Sequence, residues 1–510
     1  MNITKRRMFP ALLTILLFAT LLAGCAGKQS DAGQNDASQK EITCAADLEG
    51  ARIGVQLGTT GDIYVSDYEG DEAGTQIERY NKGADAIQAL KLGKIDCVVI
   101  DEQPGLQFVK QNSNIRIIDE EFTLEDYAFC VAKENTELLD NINGALEKLK
   151  ADGTIDSIVK NYIGTEEEVG QYPYVSKEVE RNNGTLIIGT NAEFPPYEYY
   201  DNNQVTGIDI DIMRAISDEL GMDIQVEDMA FDSIIAAITS GKVNVGASGF
   251  TVTEERKKNI NFTDTYITTK QVIIVKGDND TQKAGIGEKF YDNFIKDSRY
   301  MYIVKGLGNT LLITLLAVTI GIILGFIIAI IRTGYDRNGE LPILNAICKV
   351  YLTVMRGTPV MIQLLIIYYV ILASATNKIM VAAIAFGLNS AAYVAEIVRS
   401  GIMSVDIGQF EAGRSLGLNY QQTMQSIILP QAIKNILPAL LNEVISLLKE
   451  TSISGYIGLM DLTKGGDIIR SNTYEAFLPL IAVAIIYLAL VMLLSFLAGK
   501  LERRLRNNER

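Results

Sequence analysis

Three short stretches hold residues whose types and spacing could do chemistry. In GFTVTEER, Gly249 to Arg256, a guanidinium follows a hydroxyl and a glycine turn. An arginine fork can take a carboxylate through two parallel N–H groups, with Thr251 and the Gly249 backbone nearby. Beside Lys257 and Lys258, the same Arg256 also reads as an ordinary surface residue. In GVQLGTTGD, Gly54 to Asp62, a tight loop precedes a helix N-terminus whose free N–H groups at Thr59 and Thr60 suit an anion. Alone, Gly-Thr-Thr is a weak signal. In KIDCVVIDEQP a buried strand ends at Asp101, either a helix cap or the partner of a cation, and position alone leaves both open.

Other chemistry is thinly represented. The chain has no histidine, so the usual general base near neutral pH is missing, and no serine or cysteine nucleophile stands out with a base beside it. Its five cysteines, Cys25, Cys44, Cys97, Cys130 and Cys348, form no CxxC pair, and no metal site or cofactor is expected. No G-x-x-x-x-G-K-[ST] phosphate loop occurs, so ATP chemistry would need another polypeptide.

The elements that must position these residues fall into two unlike halves. Residues 26–299 carry 50 Asp and Glu against 26 Lys and Arg, while residues 300–510 carry 12 against 17. An acidic soluble half argues against nucleic acid as a partner. At the N-terminus, Lys5, Arg6 and Arg7 precede an apolar run ending in LAGC, the pattern of a secretory signal over 1–25 or of an uncleaved anchor helix. Residues 26–42 are small and polar and read as a flexible tether. Five later segments are apolar enough to be membrane helices of about 20 residues: 309–331, 354–374, 379–400, 433–449 and 477–499. Arg356 and Pro359 interrupt the second, and Asn442, Glu443 and Lys449 punctuate the fourth. Arg332, Arg337, Arg414, Lys434 and the tail KLERRLRNNER place the connecting loops and the C-terminus in the cytoplasm, with the acidic half outside.

The loop between the third and fourth spans holds EAGRSLGLNYQQTMQSIILP, 411–430. It resembles the cytoplasmic coupling loop of ABC importer permeases, matched by Glu411, Ala412, Gly417, Ile427, Leu429 and Pro430, with Gly413 where a second alanine is usual. Ala412 and Gly413 would present a small-residue face, and Gly417 a tight turn before the next helix. VMRGTPVMIQLLIIYY and LKETSISGYIGLMDLT resemble the polar amino-acid branch of that family. LAGC resembles a lipoprotein cleavage box, which implies lipidation of Cys25. The resemblance further implies a cytoplasmic ABC ATPase dimer as partner, and a second permease, identical or related.

Residues 184–277 resemble the first lobe of an amino-acid binding protein, and 43–165 resemble its second lobe and final helices. The usual order is reversed. The chain therefore reads as a circularly permuted, bilobed α/β binding domain of the type II periplasmic class, with the old termini joined by 166–183. A linker, 278–300, leads to an all-α five-helix transmembrane domain over 301–502 and a cytoplasmic tail, 503–510. The new ends near 43 and 277 are expected at a crossing between the lobes.

For such a domain the ligand is an amino acid, whose carboxylate and ammonium must both be paired once desolvated. The resemblance gives Arg256 the α-carboxylate, Asp101 the α-ammonium, and Phe194 and Phe231 the flanks of the ligand side chain. Asn191 stands where the family often has aspartate; a neutral amide suits a polar side chain at least as well as a cationic one. The implied function is uptake of a polar amino acid, glutamine-like or basic, at the plasma membrane. A membrane-anchored amino-acid sensor is the alternative reading.

Overall fold

A computed structural model describes residues 40–120, 123–201, 204–277, 285–473 and 475–507. The signal segment, Cys25 and nearly all of the tether lie outside the described residues.

The exported part begins with β1 (Arg52–Gln56), α1 (Thr60–Ser66), β2 (Gln76–Tyr80), α2 (Gly83–Lys91), β3 (Cys97–Asp101), α3 (Glu102–Gln111), β4 (Ile115–Ile117), β5 (Thr123–Tyr127), β6 (Cys130–Ala132), α4 (Thr136–Ala151) and α5 (Thr154–Ile163). After the junction come β7 (Thr185–Thr190), β8 (Glu193–Phe194), β9 (Glu198–Asp201), β10 (Gln204–Thr206), α6 (Ile208–Leu220), β11 (Asp223–Asp228), α7 (Phe231–Thr239), β12 (Val245–Gly246), β13 (Ile260–Phe262) and β14 (Ile267–Lys276).

These strands build two mixed sheets, ordered β2-β1-β3-β14-β4, with β5 on β14, and β11-β7-β12-β6-β13, and a small antiparallel sheet, β10-β9-β8. The first belongs to a lobe that carries Asp101, the second to a lobe that carries Arg256. Each lobe takes strands from both sequence pieces. β14 lies antiparallel between β3 and β4, pairing Ile273 with Val99 and Ile274 with Ile117. β6 pairs with β12 and β13. The apolar run of β14 is buried on both faces, which suits a central strand rather than a domain end.

That pairing corrects the expected boundaries. The chain crosses between the lobes at 127–130 and 262–267, and the ends near 43 and 277 both lie on the Asp101 lobe. Ile42 and Val275 share one apolar cluster there, and the Gly277 N–H donates to the Asn114 carbonyl at 2.8 Å. Residues 166–183 are tied to α6. The buried Asp218 carboxylate accepts from Tyr174 at 2.7 Å, Ser176 at 2.8 Å and the Lys177 N–H at 2.7 Å, and pairs with Arg181.

After a short helix, α8 (Ile286–Phe290), follow α9 (Tyr300–Asn338), α10 (Pro342–Gly357), α11 (Val360–Ile366), α12 (Lys378–Met403), α13 (Ile407–Ser415), α14 (Tyr420–Thr423), α15 (Leu429–Glu450), α16 (Leu462–Thr473) and α17 (Phe477–Asn507). Residues 285–298 form helical turns, not an extended linker. Among the described residues three helices, α9, α12 and α17, are long and apolar enough to cross a membrane. The expected span 354–374 is not continuous. Helix α10 stops at Gly357, and the next helix restarts at a 110° bend, because Pro359 cannot donate into a helix ladder. Counting the bent pair as one span gives four. α15 has 22 residues but Lys434, Glu443, Lys449 and an internal Pro438 keep it amphipathic.

Candidate functional site

The two lobes meet on a cleft that, closed as it stands, keeps a cavity of only about 10 Å³, lined by Gln56, Thr59, Thr60, Asp101, Asn191, Phe194, Glu198, Phe231, Ser248 and Gly249. Six of the sequence-derived candidates line it together with Gly249; the two others, Thr251 and Arg256, do not line it but bond to Thr60 and to the Gly58 carbonyl.

Arg256 is not a surface residue. It is 6% exposed and its guanidinium donates to the Thr251 carbonyl at 2.9 Å and to the Gly58 carbonyl at 2.8 Å, the latter on the opposite lobe. It forms no ion pair among the described residues. Phe231 and Phe250, stacked at 4.8 Å, hold it at 5.6 and 5.4 Å from their ring centres. Burial pushes its pKa down, against the pull of neighbouring Glu125 and Asp101. This buried cation can exchange its carbonyl partners for a carboxylate.

Asp101 caps α3 only by backbone geometry; its side chain makes no cap bond. The carboxylate instead accepts from the Tyr127 hydroxyl at the cleft floor. Burial raises its pKa, opposed by that hydrogen bond. The Thr59 N–H is already taken by the Gln56 carbonyl at 3.3 Å, so the expectation of two free amides fails at Thr59. The Thr60 hydroxyl crosses the cleft to Thr251 Oγ1 at 2.7 Å, and Thr251 donates to Glu125 at 2.6 Å. Gln56 Nε2 donates to Asn191 Oδ1 at 3.2 Å, a further bond between lobes. These bonds define a closed arrangement.

Gly249 has φ +55°, and a Cβ there would stand 3.0 Å from the Tyr127 ring and 3.2 Å from Phe194. Its N–H donates to Asp209 at 2.9 Å, so it supports the wall. Phe194 stacks on Tyr197 at 5.8 Å.

Sequence reasoning missed Gln56, Ser248 and Glu198, each close in sequence to a residue it found. It also missed the buried acids around the cleft. Burial pushes Glu125 up to about 7, with Asp101 adding to the effect, and pushes Asp209 to about 7. Glu198, fully buried and bonded to Ser248 at 2.7 Å, is raised well above the carboxylate range by burial and by Asp209.

A second cavity lies between the domain and the membrane helices. It shares Asn191 and Phe231 with the cleft and is closed on the other side by Tyr456, Thr463 and Lys464.

In the loop between α12 and α15, Gly417 has φ +82° and ends α13, with the Leu418 N–H returning to the Gly413 carbonyl at 3.1 Å. Glu411 and Ala412 are exposed. Gly413 is not: a Cβ there would sit 2.7 Å from Thr423, so the glycine lets α13 close on α14 instead of forming an outward face. Phe410 stacks on Tyr420 at 5.8 Å. Ile427 is half-buried, and Leu429 and Pro430 open α15.

The family of bacterial extracellular solute-binding proteins, family 3, matches residues 186–458. The match starts in β7; residues 43–165, which complete both lobes in space, precede it in sequence. The putative glutamine transport system permease protein GlnP of Rickettsia bellii (strain RML369-C) is 41% identical over 219 residues, 42% of this chain and 98% of that protein. The arginine transport system permease protein ArtQ of Bacillus subtilis (strain 168) is 39% identical over 211 residues, 41% of this chain and 94% of that protein. A crystal structure of an amino acid ABC transporter with histidines is 42% identical and covers 41% of this chain and 98% of that one, at a TM-score of 0.39. The chain belongs to the amino-acid ABC importer permeases, and carries ahead of its membrane helices a bilobed α/β domain that matches the family 3 solute-binding proteins from residue 186 onward.

Proposed function

We propose that this chain is the combined binding and translocating subunit of an importer for a polar amino acid, glutamine-like or basic. The observation that carries the reading is the cleft itself. Arg256, buried and without a carboxylate partner, bonds across the lobes to the Gly58 carbonyl, and Asp101 lines the cleft with Phe194 and Phe231, so that one buried cation and one buried acid are available for the two charged ends of an α-amino acid. Arg256 takes the α-carboxylate with help from Thr251 and Thr60, and Asp101 takes the α-ammonium. Asn191, Gln56 and Glu198 meet the side chain. Amide groups there suit glutamine, and the nearby acids suit a cationic side chain.

Ligand joins the lobes, the closed domain delivers it past Asn191 and Phe231 into the second cavity, and ATP-driven movement at the coupling loop opens the path inward. The work of opening comes from a separate cytoplasmic ATPase pair that grips Glu411 and Ala412. Two permeases, identical or related, complete the assembly. The bent α10–α11 pair serves as one span and amphipathic α15 as the fifth, turned toward the path. With five spans the binding domain is outside and the coupling loop and C-terminus inside, as the flanking arginines and lysines require. Cys25 carries the lipid of a processed lipoprotein.

Purification in mild detergent tests the reading. An ATPase should accompany the chain and hydrolyse ATP faster with L-glutamine or L-arginine. Proteoliposomes that bind neither amino acid and accumulate neither refute it.

A further inference from the structure

The binding domain rests on the membrane half through charged contacts that differ between its lobes. On the Arg256 lobe, Lys378 pairs with Glu227 at 2.6 Å and Lys464 with Asp228 at 2.9 Å. On the Asp101 lobe the contacts run to α16 alone among those pairs: Lys82 reaches Asp467 at 3.2 Å, and Asp85 pairs with Arg470. Lys82 is the N-cap residue of α2 and Asp85 lies in its first turn, so one helix end presents both.

Lys464, Asp467 and Arg470 are spaced by three residues and share one face of α16. Between them and the domain lies Glu193, a buried carboxylate whose Oε1 accepts at 2.8 Å from Lys82 and at 2.8 Å from Lys464. One oxygen thus joins the two lobes and the permease. Asp467 takes Lys82 from the domain and, at 3.0 Å, Arg470 from its own helix. Glu193 begins the two-residue strand that ends in the cleft aromatic Phe194.

This geometry needs both lobes in place. If the Asp101 lobe swings away, Lys82 leaves both Glu193 and Asp467, and Asp85 leaves Arg470. The Arg256 lobe keeps Lys378–Glu227 and Lys464–Asp228. The permease then still holds the domain, while Asp467 and Arg470, two of the three charges on this face of α16, keep each other but lose their partners on the domain.

We propose that α16 is the surface by which the permease recognises closure of its own binding domain, with Lys82, Glu193 and Asp85 as the residues read. The inference rests on the importer reading above but concerns contacts that depend on closure of the lobes rather than on the ligand itself.

The test therefore closes the domain without ligand. In the full chain in nanodiscs, Thr60→Cys with Thr251→Cys places a disulfide across the cleft, where the two hydroxyls now stand 2.7 Å apart. Hydrogen exchange of the amides of residues 462–473 is compared before and after reduction. We expect at least fivefold slower exchange in the locked chain. With Lys82→Gln and Arg470→Gln added, the ratio should fall to near one, while Lys82→Arg should preserve it and exchange in β1, β3 and β7 should not change. A ratio near one in the otherwise native locked chain, or a full ratio in the double variant, overturns the proposal. Uptake of L-glutamine and L-arginine by the unlocked chain with its ATPase is measured in parallel; failure there, with the α16 ratio intact, counts against the importer reading alone.

Discussion

Arg256 on one lobe donates to the Gly58 carbonyl on the other at 2.8 Å, across 198 positions of sequence. The guanidinium therefore contributes to closure before any ligand arrives. Arg256→Ala should cost about 1–3 kcal/mol of domain stability as well as about 2–5 kcal/mol of ligand binding. Arg256→Lys should recover the first loss better than the second, since an ammonium can meet a carbonyl but lacks the two-pronged fork. Calorimetry and thermal melts of the same variants separate the two. Because the bond forms within one chain, mixing Arg256→Ala with Asp101→Ala chains should restore no binding, and recovered binding would show exchanged lobes.

The acids around the cleft predict a pH effect with a definite sign. Glu125 is raised to about 7 by burial and by Asp101. A carboxyl whose folded pKa lies above its unfolded value stabilises the fold fully below the unfolded value and loses that contribution as pH rises through about 7. The ligand-free domain should thus lose about 1–3 kcal/mol between pH 5 and pH 8 through this group. Glu125→Gln should flatten the curve. Equal slopes in denaturant titrations of the two proteins would remove Glu125 from the account.

How far the sequence discloses this arrangement depends on the range of the interactions. Arg256 and Asp101 are marked by local patterns, a turn before an arginine and a strand ending in an acid, while Phe194 and Phe231 come only from the family resemblance; Asp101 and both rings line one cleft. The inverted order comes from the resemblance of the two pieces to the lobes of a binding protein, not from their periodicity. The crossing points are not legible. β14 reads as the end of its own piece, and only the sheet shows that its buried face fits between β3 and β4. Glu198 and Asp209 escape notice because an acid in a sequence signals exposure, and here both are fully buried. Gly413 reads as a small outward residue until Thr423 is seen against it.

Gly417 sets the turn between α13 and α14 in the proposed docking loop. At φ +82° any residue with a Cβ is strained, by about 1–3 kcal/mol. Gly417→Val should therefore distort the turn between α13 and α14 without touching the exported cleft. Amino acid binding should stay within about twofold of the original, a difference under 1.4 kcal/mol, while amino-acid-stimulated ATP hydrolysis is lost. Full stimulation would mean the motif is not a docking loop.

Asp218 fastens the junction that permutation created. Its buried carboxylate collects Tyr174, Ser176, the Lys177 amide and Arg181. Asp218→Ala takes the shared acceptor from Tyr174, Ser176 and the Lys177 amide, leaves Arg181 only the Met222 carbonyl and Ser176, and should cost about 1–3 kcal/mol. Protease cleavage within 166–183 should accelerate, whereas ligand affinity, set on the far side of the lobe, should hardly move. A melting temperature equal to the parent's would show that the strap carries no stability.

The position of the ends makes the permutation reversible on paper. Ile42 and Val275 lie in one cluster, and Gly277 bonds to Asn114 beside the same sheet edge. An isolated domain rebuilt as 184–277, a glycine-serine bridge of about four residues, then 40–165, keeps every strand pairing and cuts only the 166–183 strap. It should fold and bind the same amino acid with unchanged preference. It should also be less stable by about the Asp218 contribution, since that strap is lost, so the two changes together should not add. The natural order then has a structural consequence. It sends both ends out of the Asp101 lobe, the lobe that swings onto α16, and leaves the Arg256 lobe held to the permease by its side chains alone. If the rebuilt domain bound ligand but its fusion to residues 285–510 through Ile163 failed to transport, the order of the pieces would matter for coupling; transport at the original rate would show that it does not.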